Sequence, residues 1–106
     1  MELIGKQEFQ TKLNNGDKFI VDFFATWCMP CKMMMPILER ADNELVSSDV
    51  RIFKINVDTD RDLAIELGIR GVPTIKAFKG GQEIFTKSGI MNENEITNLS
   101  KSLLNG

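Results

Sequence analysis

The sequence predicts an α/β protein with a central mixed sheet sandwiched between helices. Three observations carry that reading. Phe19-Ile20-Val21-Asp22-Phe23-Phe24 is a near-continuous apolar run, the pattern of a strand covered on both faces. Segments of strand and helix character alternate along the chain, as they do where helices pack on a sheet. Two strand-like runs near the end flank Gly80-Gly81, a hairpin signal that makes the sheet mixed rather than wholly parallel.

The elements follow in order. Gln7 to Leu13 reads as a short helix ended by Asn14-Asn15-Gly16. The strand Phe19–Phe24 leads to a helix over Cys31–Leu45, where Met34, Ile37, Leu38, Ala41 and Leu45 recur at helical spacing. Pro36 lies inside that helix and is expected to kink it, since it lacks an N–H and crowds the carbonyl of Lys32. Val50 to Val57 alternates as a strand. Asp58-Thr59-Asp60 then offers a cap for a short helix containing Leu63, Ala64 and Leu67, closed by Gly68. Thr74–Phe78 and Glu83–Lys87 form the hairpin strands. In the last helix Asn92 and Glu95 make a capping pair, Met91 and Ile96 a hydrophobic staple, and Ile96, Leu99 and Leu103 line one face.

The length of 106 residues fits one domain over residues 1–106. The formal net charge of −2, with lysines and arginines scattered, gives no polyanion-binding signal, so nucleic acid is not an expected partner. Met1-Glu2-Leu3-Ile4-Gly5 is not the start of a signal peptide, and no apolar run approaches transmembrane length. A cytoplasmic location without membrane association is the resulting expectation. Histidine is absent, which removes the usual Ser-His and Cys-His nucleophile pairs. Two cysteines cannot supply four zinc ligands within one chain.

Those two cysteines concentrate the chemistry, in Trp27-Cys28-Met29-Pro30-Cys31-Lys32 directly after the apolar run. A Cys-x-x-Cys that opens a helix places an anion where unpaired N–H groups and the macrodipole favour it. Cys28 is then the low-pKa attacking thiolate, and Cys31, one turn deeper, the less exposed resolving thiol. Pro30 suits the first turn, where its missing N–H costs nothing. A purely stabilising disulfide is the alternative, but so short a loop restrains the unfolded chain little.

Four further features bear on that pair. Asp22 shares a strand face with apolar Ile20 and Phe24, so burial raises its pKa and fits it to take the Cys31 proton; the plainer alternative is a carboxylate in a solvated groove. Gly71-Val72-Pro73-Thr74 opens a strand, where Pro73 is compatible with a cis bond and the edge at Val72 with an extended partner peptide, or with an ordinary turn. Met29 sits between the cysteines, near any bound partner, whereas Met33 to Met35 read mainly as core or helix filling, with Met34 on the core face. Lys54 either tunes Asp22 or is simply solvated.

Together these residues resemble the thioredoxin family over nearly the whole chain, from Phe19 through Leu104. The matching motifs are Val21-Asp22-Phe23, Ala25-x-Trp27-Cys28-x-Pro30-Cys31-Lys32, Pro36, Asn56-Val57-Asp58, Gly68-Ile69-Arg70-Gly71-Val72-Pro73-Thr74, Phe78-Lys79-x-Gly81 and Gly89. The resemblance implies the thioredoxin fold, a mixed five-stranded sheet flanked by four helices. It adds a short first strand near Glu2–Ile4 and makes the last two strands antiparallel to their neighbours. It also implies a cis Pro73 facing the disulfide, Asp22 as the buried acid and Lys54 as its neighbour. Trp27, Gly71, Val72, Pro73, Gly89 and Ile90 would form the partner-binding surface, with Met29 and Pro30 beside them. Met29 stands where most members have glycine and Phe24 where tryptophan is common; residues between the cysteines tune reducing power.

The expected activity is therefore reduction of protein disulfides through a reversible Cys28–Cys31 pair. The resemblance implies substrate proteins with disulfides and an NADPH-dependent thioredoxin reductase as partners, with the chain itself a monomer. No nucleotide-binding glycine motif is present, so no cofactor is expected. The rival readings are an oxidase or isomerase of the same fold, separated by reduction potential, and a non-catalytic binding module, separated by a double cysteine-to-serine variant. A metal-bridged dimer of two Cys-x-x-Cys pairs is a third, checked by measuring bound metal.

Overall fold

The chain is described over residues 1–106 by a computed structural model. The elements are β1 (Glu2–Leu3), α1 (Lys6–Asn15), β2 (Lys18–Phe24), α2 (Met29–Glu44), β3 (Val50–Asn56), α3 (Arg61–Glu66), β4 (Thr74–Lys79), β5 (Gln82–Ser88) and α4 (Glu93–Asn105). They form one five-stranded sheet in the order β1-β3-β2-β4-β5. β1, β3 and β2 run parallel, while β4 is antiparallel to β2 and β5 to β4. The expected mixed sheet with four helices is what the chain adopts.

β2 explains its own composition, because both of its faces are covered. Ile20 points into a cluster with Ile52 and Ile75, packed under Met34 and Leu38 of α2 and Ile96 and Leu103 of α4. Phe19, Val21 and Phe23 point the other way, into a cluster with Phe9 of α1, Leu63 of α3 and Phe78 of β4. Phe9 meets Phe78 and Phe19 edge to face, with ring centroids 5.1 and 5.9 Å apart. Burying one such side chain contributes roughly 1.5–3 kcal/mol.

Helix ends are set by local chemistry, with one reassignment. Gly16 ends α1 in the left-handed region at φ 74°, its N–H donating to the Leu13 carbonyl at 3.1 Å. Gly80 (φ 61°) and Gly81 (φ 80°) make the two-residue turn between β4 and β5. Asp60 sits at the N-cap of α3, as expected, but its side chain makes no capping bond there. Its backbone (φ −110°, ψ 54°) lies outside the extended region from which a side chain reaches back to the helix. Its carboxylate accepts instead from the Lys6 N–H at 3.1 Å and caps α1. α2 begins at Met29, ahead of the expected Cys31, because Cys28 is its N-cap. The helix continues through Pro36, which lies on its exposed side. Of the methionines expected to fill the helix, Met34 is buried but Met33 is largely exposed.

α4 carries the capping box read from sequence. The Glu95 N–H donates to Asn92 Oδ1 at 2.9 Å, and the Asn92 N–H donates to Glu95 Oε1 at 3.0 Å. Met91 and Ile96 are buried in the same cluster, completing the staple. Asn92→Ala is expected to cost about 1 kcal/mol, read as a lower urea midpoint at unchanged slope. A change below about 0.3 kcal/mol would remove the box from the helix's stability. No helix is long and apolar enough to cross a membrane.

Candidate active site

The site forms where β2 hands over to α2. After Phe24 the chain turns through Ala25-Thr26-Trp27, and the Cys28 N–H donates to the Ala25 carbonyl at 3.2 Å. Cys28, with extended backbone (φ −85°, ψ 108°), caps α2, and Pro30 falls in the first turn, where no N–H is needed. Cys28 and Cys31 are joined as a disulfide with Cα atoms 5.3 Å apart. The Cys28 sulfur also accepts from the Cys31 N–H at 3.2 Å. In this oxidised form both cysteines are buried, at 3% and 1% exposure, so the expected difference in depth is small. They pack with Ala25, against Phe24, Val57 and Val72.

Asp22 lies in β2 on the face of Ile20 and Phe24, as the alternation predicted. Ile20 reaches the cluster of Met34 and Leu38, and Phe24 reaches that of the cysteines, so Asp22 is bracketed beneath the first turns of α2. It is fully buried, and neither carboxylate oxygen has a hydrogen-bond partner. Burial pushes its pKa up from 3.8 to about 7, against an opposing pull from the Lys54 ammonium. Lys54 pairs with Asp22 in the β2–β3 register, is half-buried, and holds its Nζ 5.8 Å from the centroid of the Phe24 ring.

The second wall comes from the segment before β4. The Val72–Pro73 peptide is cis, the isomer the family resemblance implied. The loop is tied on both sides: Thr74 Oγ1 donates to the Gly71 carbonyl at 2.7 Å, and the Gly89 N–H donates to the Pro73 carbonyl at 2.8 Å. Gly89 has φ 96°, a conformation that favours glycine. Gly71 does not, and a Cβ there would meet nothing within 4 Å, so nothing inside the chain demands a bare backbone at that exposed position.

The residues read as a partner-binding surface are partly brought together. Trp27, Gly71 and Val72 line one groove, and Pro73 joins Gly89 by the bond just described. Met29, Pro30 and Ile90 are exposed near the disulfide or the Gly89 turn but lie outside that groove. Trp27 is 69% exposed, yet its ring is held, since Nε1–H donates to Asp58 Oδ2 at 2.9 Å. Asp58 was read from sequence only as part of a helix cap, and its place at the site was missed. Its signal was the Asn56-Val57-Asp58 motif, in which Asn56 Oδ1 accepts from the Asp58 N–H at 2.8 Å and so fixes the turn that presents the carboxylate.

A disulfide held at a helix N-terminus, beside a buried acid and an open groove, can accept and return two electrons by thiol exchange. The comparisons agree with that chemistry. A protein-family model described as Thioredoxin matches residues 1–102. The chain is 40% identical over 85 residues to a thioredoxin of Rickettsia felis, covering 79% of this chain and 80% of that one. It is 39% identical over 90 residues to a thioredoxin of Malassezia sympodialis, covering 84% and 86%. Among solved structures, chloroplastic thioredoxin z superposes with a TM-score of 0.86 at 30% identity, covering 100% of this chain and 96% of that one. Plasmodium falciparum thioredoxin does so with a TM-score of 0.86 at 27% identity, covering 96% and 98%.

Proposed function

The chain belongs to the thioredoxin family, and on that premise we propose how its residues divide the work of reducing protein disulfides. The overall reaction is thiol–disulfide oxidoreduction: a substrate disulfide becomes two thiols while the Cys28–Cys31 dithiol becomes a disulfide. Cys28 is the attacking thiolate. The observation that carries this is the Cys31 N–H aimed at the Cys28 sulfur at the first turn of α2, where N–H groups and the macrodipole favour an anion.

The steps balance as two exchanges. The Cys28 thiolate attacks one sulfur of the substrate disulfide, forming a mixed disulfide and expelling one substrate thiolate. Cys31 then loses its proton to Asp22 and attacks the Cys28 sulfur, closing the Cys28–Cys31 bond and expelling the second thiolate. Asp22 suits this role because a carboxyl poised at about pH 7 can take a proton under working conditions. Lys54 moderates that poise from the neighbouring strand. Substrate is held against Trp27, Met29, Pro30, Gly71, Val72, Pro73, Gly89 and Ile90, with an extended segment paired to the backbone edge at Val72.

The oxidised chain is returned to the dithiol by a thioredoxin reductase drawing on NADPH, and no cofactor resides on the chain itself. We place the reaction in the cytoplasm, where a reducing environment suits such a carrier, with residues 1–106 acting as one domain and as a monomer. The test is reduction of a protein disulfide such as insulin, with NADPH and thioredoxin reductase as the electron source. Turnover dependent on the chain is expected; a chain that adds nothing to the background rate ends this reading. Gly71→Val probes the docking edge separately. Stability is expected to stay within about 0.5 kcal/mol, because a Cβ at this exposed position meets nothing within 4 Å, while KM for the protein substrate rises several-fold with kcat held. An unchanged KM would take Gly71 out of the docking edge.

A further inference from the structure

Six methionines and two cysteines supply the chain's sulfur, and the fold sorts them by access. Cys28 and Cys31 are closed as a disulfide and buried, so in this form neither offers a thiolate. Met34 and Met91 are each 1% exposed, inside the cluster that holds Ile20, Leu38 and Ile96. Met1 and Met35 are half-buried. Met29 and Met33 stand apart, each 63% exposed. They lie four positions apart on α2 and so share one face, while Cys31, two positions from each, falls on the other side of the helix. Met29 is also the first residue of α2 and the direct neighbour of Cys28, its N-cap. In the oxidised protein the two freely accessible sulfurs are therefore thioethers, and one of them adjoins the reacting cysteine.

We propose that Met29 and Met33 form an oxidation site, at which a hydroperoxide adds one oxygen atom to each sulfur and thereby weakens engagement of protein disulfides beside Cys28. The sulfur lone pair attacks one peroxide oxygen and the O–O bond breaks. Sulfur is oxidised by two electrons to the sulfoxide, and hydrogen peroxide is reduced to water. A thioether has no proton to lose, so access rather than ionisation decides which methionine reacts. The sulfoxide converts a flexible apolar side chain into a polar one. Where a protein substrate covers Met29, the new oxygen loses water without a donor prepared to replace it. The core is spared, because Met34 and Met91 are shielded. The reaction is reversible by methionine sulfoxide reductases, so the change acts as a switch. Its functional half rests on the exchange reaction assigned above; the selective oxidation does not.

The test treats the oxidised protein with hydrogen peroxide, removes the excess with catalase, and maps sulfoxide at each methionine by peptide mass. Met29 and Met33 are expected to gain oxygen at least about tenfold faster than Met34 and Met91. The treated protein is then reduced with dithiothreitol, freed of it, and mixed with insulin or with glutathione disulfide in separate single-turnover reactions. The ratio of the two initial rates cancels any change in the Cys28 thiolate itself, since glutathione disulfide covers far less of the surface. That ratio is expected to fall about fivefold on oxidation of both thioethers. Incubation with methionine sulfoxide reductases of both epimer specificities, supplied with dithiothreitol, restores it. A Met29→Leu/Met33→Leu chain keeps its own ratio through the same peroxide treatment. Even oxidation of the exposed and buried methionines overturns the proposal. So does a ratio that moves less than about twofold once both thioethers are converted, a fall that the reductases do not reverse, or a fall that persists in the double leucine variant. An untreated chain that reduces neither insulin nor glutathione disulfide ends the exchange reading and the functional half with it, whereas the sulfoxide map still decides the oxidation site.

Discussion

Cys28→Ser is expected to abolish reduction of protein disulfides, lowering the rate by on the order of 10³-fold or more, as removal of an enzyme's nucleophile does. A serine at the helix N-terminus receives the same N–H and the same dipole, but its hydroxyl stays protonated at neutral pH. Cys31 does not substitute for it, because Cys31 is the third residue of α2 rather than its N-cap, and its own N–H is the donor aimed at the Cys28 position. Both proteins are assayed in the reduced form, so the loss of the disulfide as a covalent tie does not enter the comparison. A Cys28→Ser chain with full activity would assign the attack to Cys31 instead.

Cys31→Ser has an equally large effect on turnover but a different signature. The attack still occurs, and the mixed disulfide then has no internal thiol to resolve it. Holding the resolving thiol beside Cys28 replaces a bimolecular encounter with a step whose effective concentration reaches about 10⁵ M or more in well-oriented systems. Without it, the adduct accumulates in proportion to protein added and is read directly as a mass increase equal to the attached substrate chain. Absence of that adduct would contradict the order of the two exchanges.

The redox site was legible because its determinants are contiguous. Cys28, Pro30 and Cys31 lie within one helical turn, and the strand that precedes them announces itself by being covered on both faces. The α4 capping box was legible for the same reason, as Asn92 and Glu95 are three positions apart. What was not legible depends on residues that only the fold brings together. β1 is two exposed residues, and it exists as a strand by pairing Glu2 with Phe53 and Leu3 with Lys54. Asp60 caps α1 from across the chain rather than its own helix, and Trp27 finds Asp58 at a separation of 31 residues. Asp42 is another such case. It is buried on α2, where burial alone would raise its pKa, yet hydrogen bonds from Arg51 at 3.0 and 2.9 Å and from the Ile52 N–H at 3.1 Å hold it below the usual value.

Asp22→Asn is expected to stabilise the oxidised protein by an amount that grows with pH. The sign follows from the raised pKa of Asp22, about 7 in the folded chain against 3.8 as its ordinary value. Below about pH 4 both folded and unfolded chains hold the proton, and the burial penalty on the charge is absent. Between about pH 4 and pH 7 the folded chain keeps a proton that the unfolded chain has released, so stability falls as pH rises. Above about pH 7 the penalty is complete, at about 4 kcal/mol. Asparagine resembles the protonated acid in shape and charge, so the two proteins are expected to be nearly equal near pH 4 and to separate by several kcal/mol at pH 8. Urea denaturation of the oxidised proteins across that range reads the effect, and a difference that stays flat with pH would return Asp22 to an ordinary carboxylate. Lys54→Gln sharpens the argument, since removing the ammonium raises the Asp22 pKa further and moves the same window upward. The kinetic consequence is separate. If Asp22 takes the Cys31 proton, Asp22→Asn slows resolution of the mixed disulfide and removes the inflection near pH 7 from that step, while the initial attack by Cys28 keeps its own profile. A variant that gains stability yet keeps the inflection would make the buried charge a cost of the fold with no share in the chemistry; loss of both together ties the cost to the proton transfer.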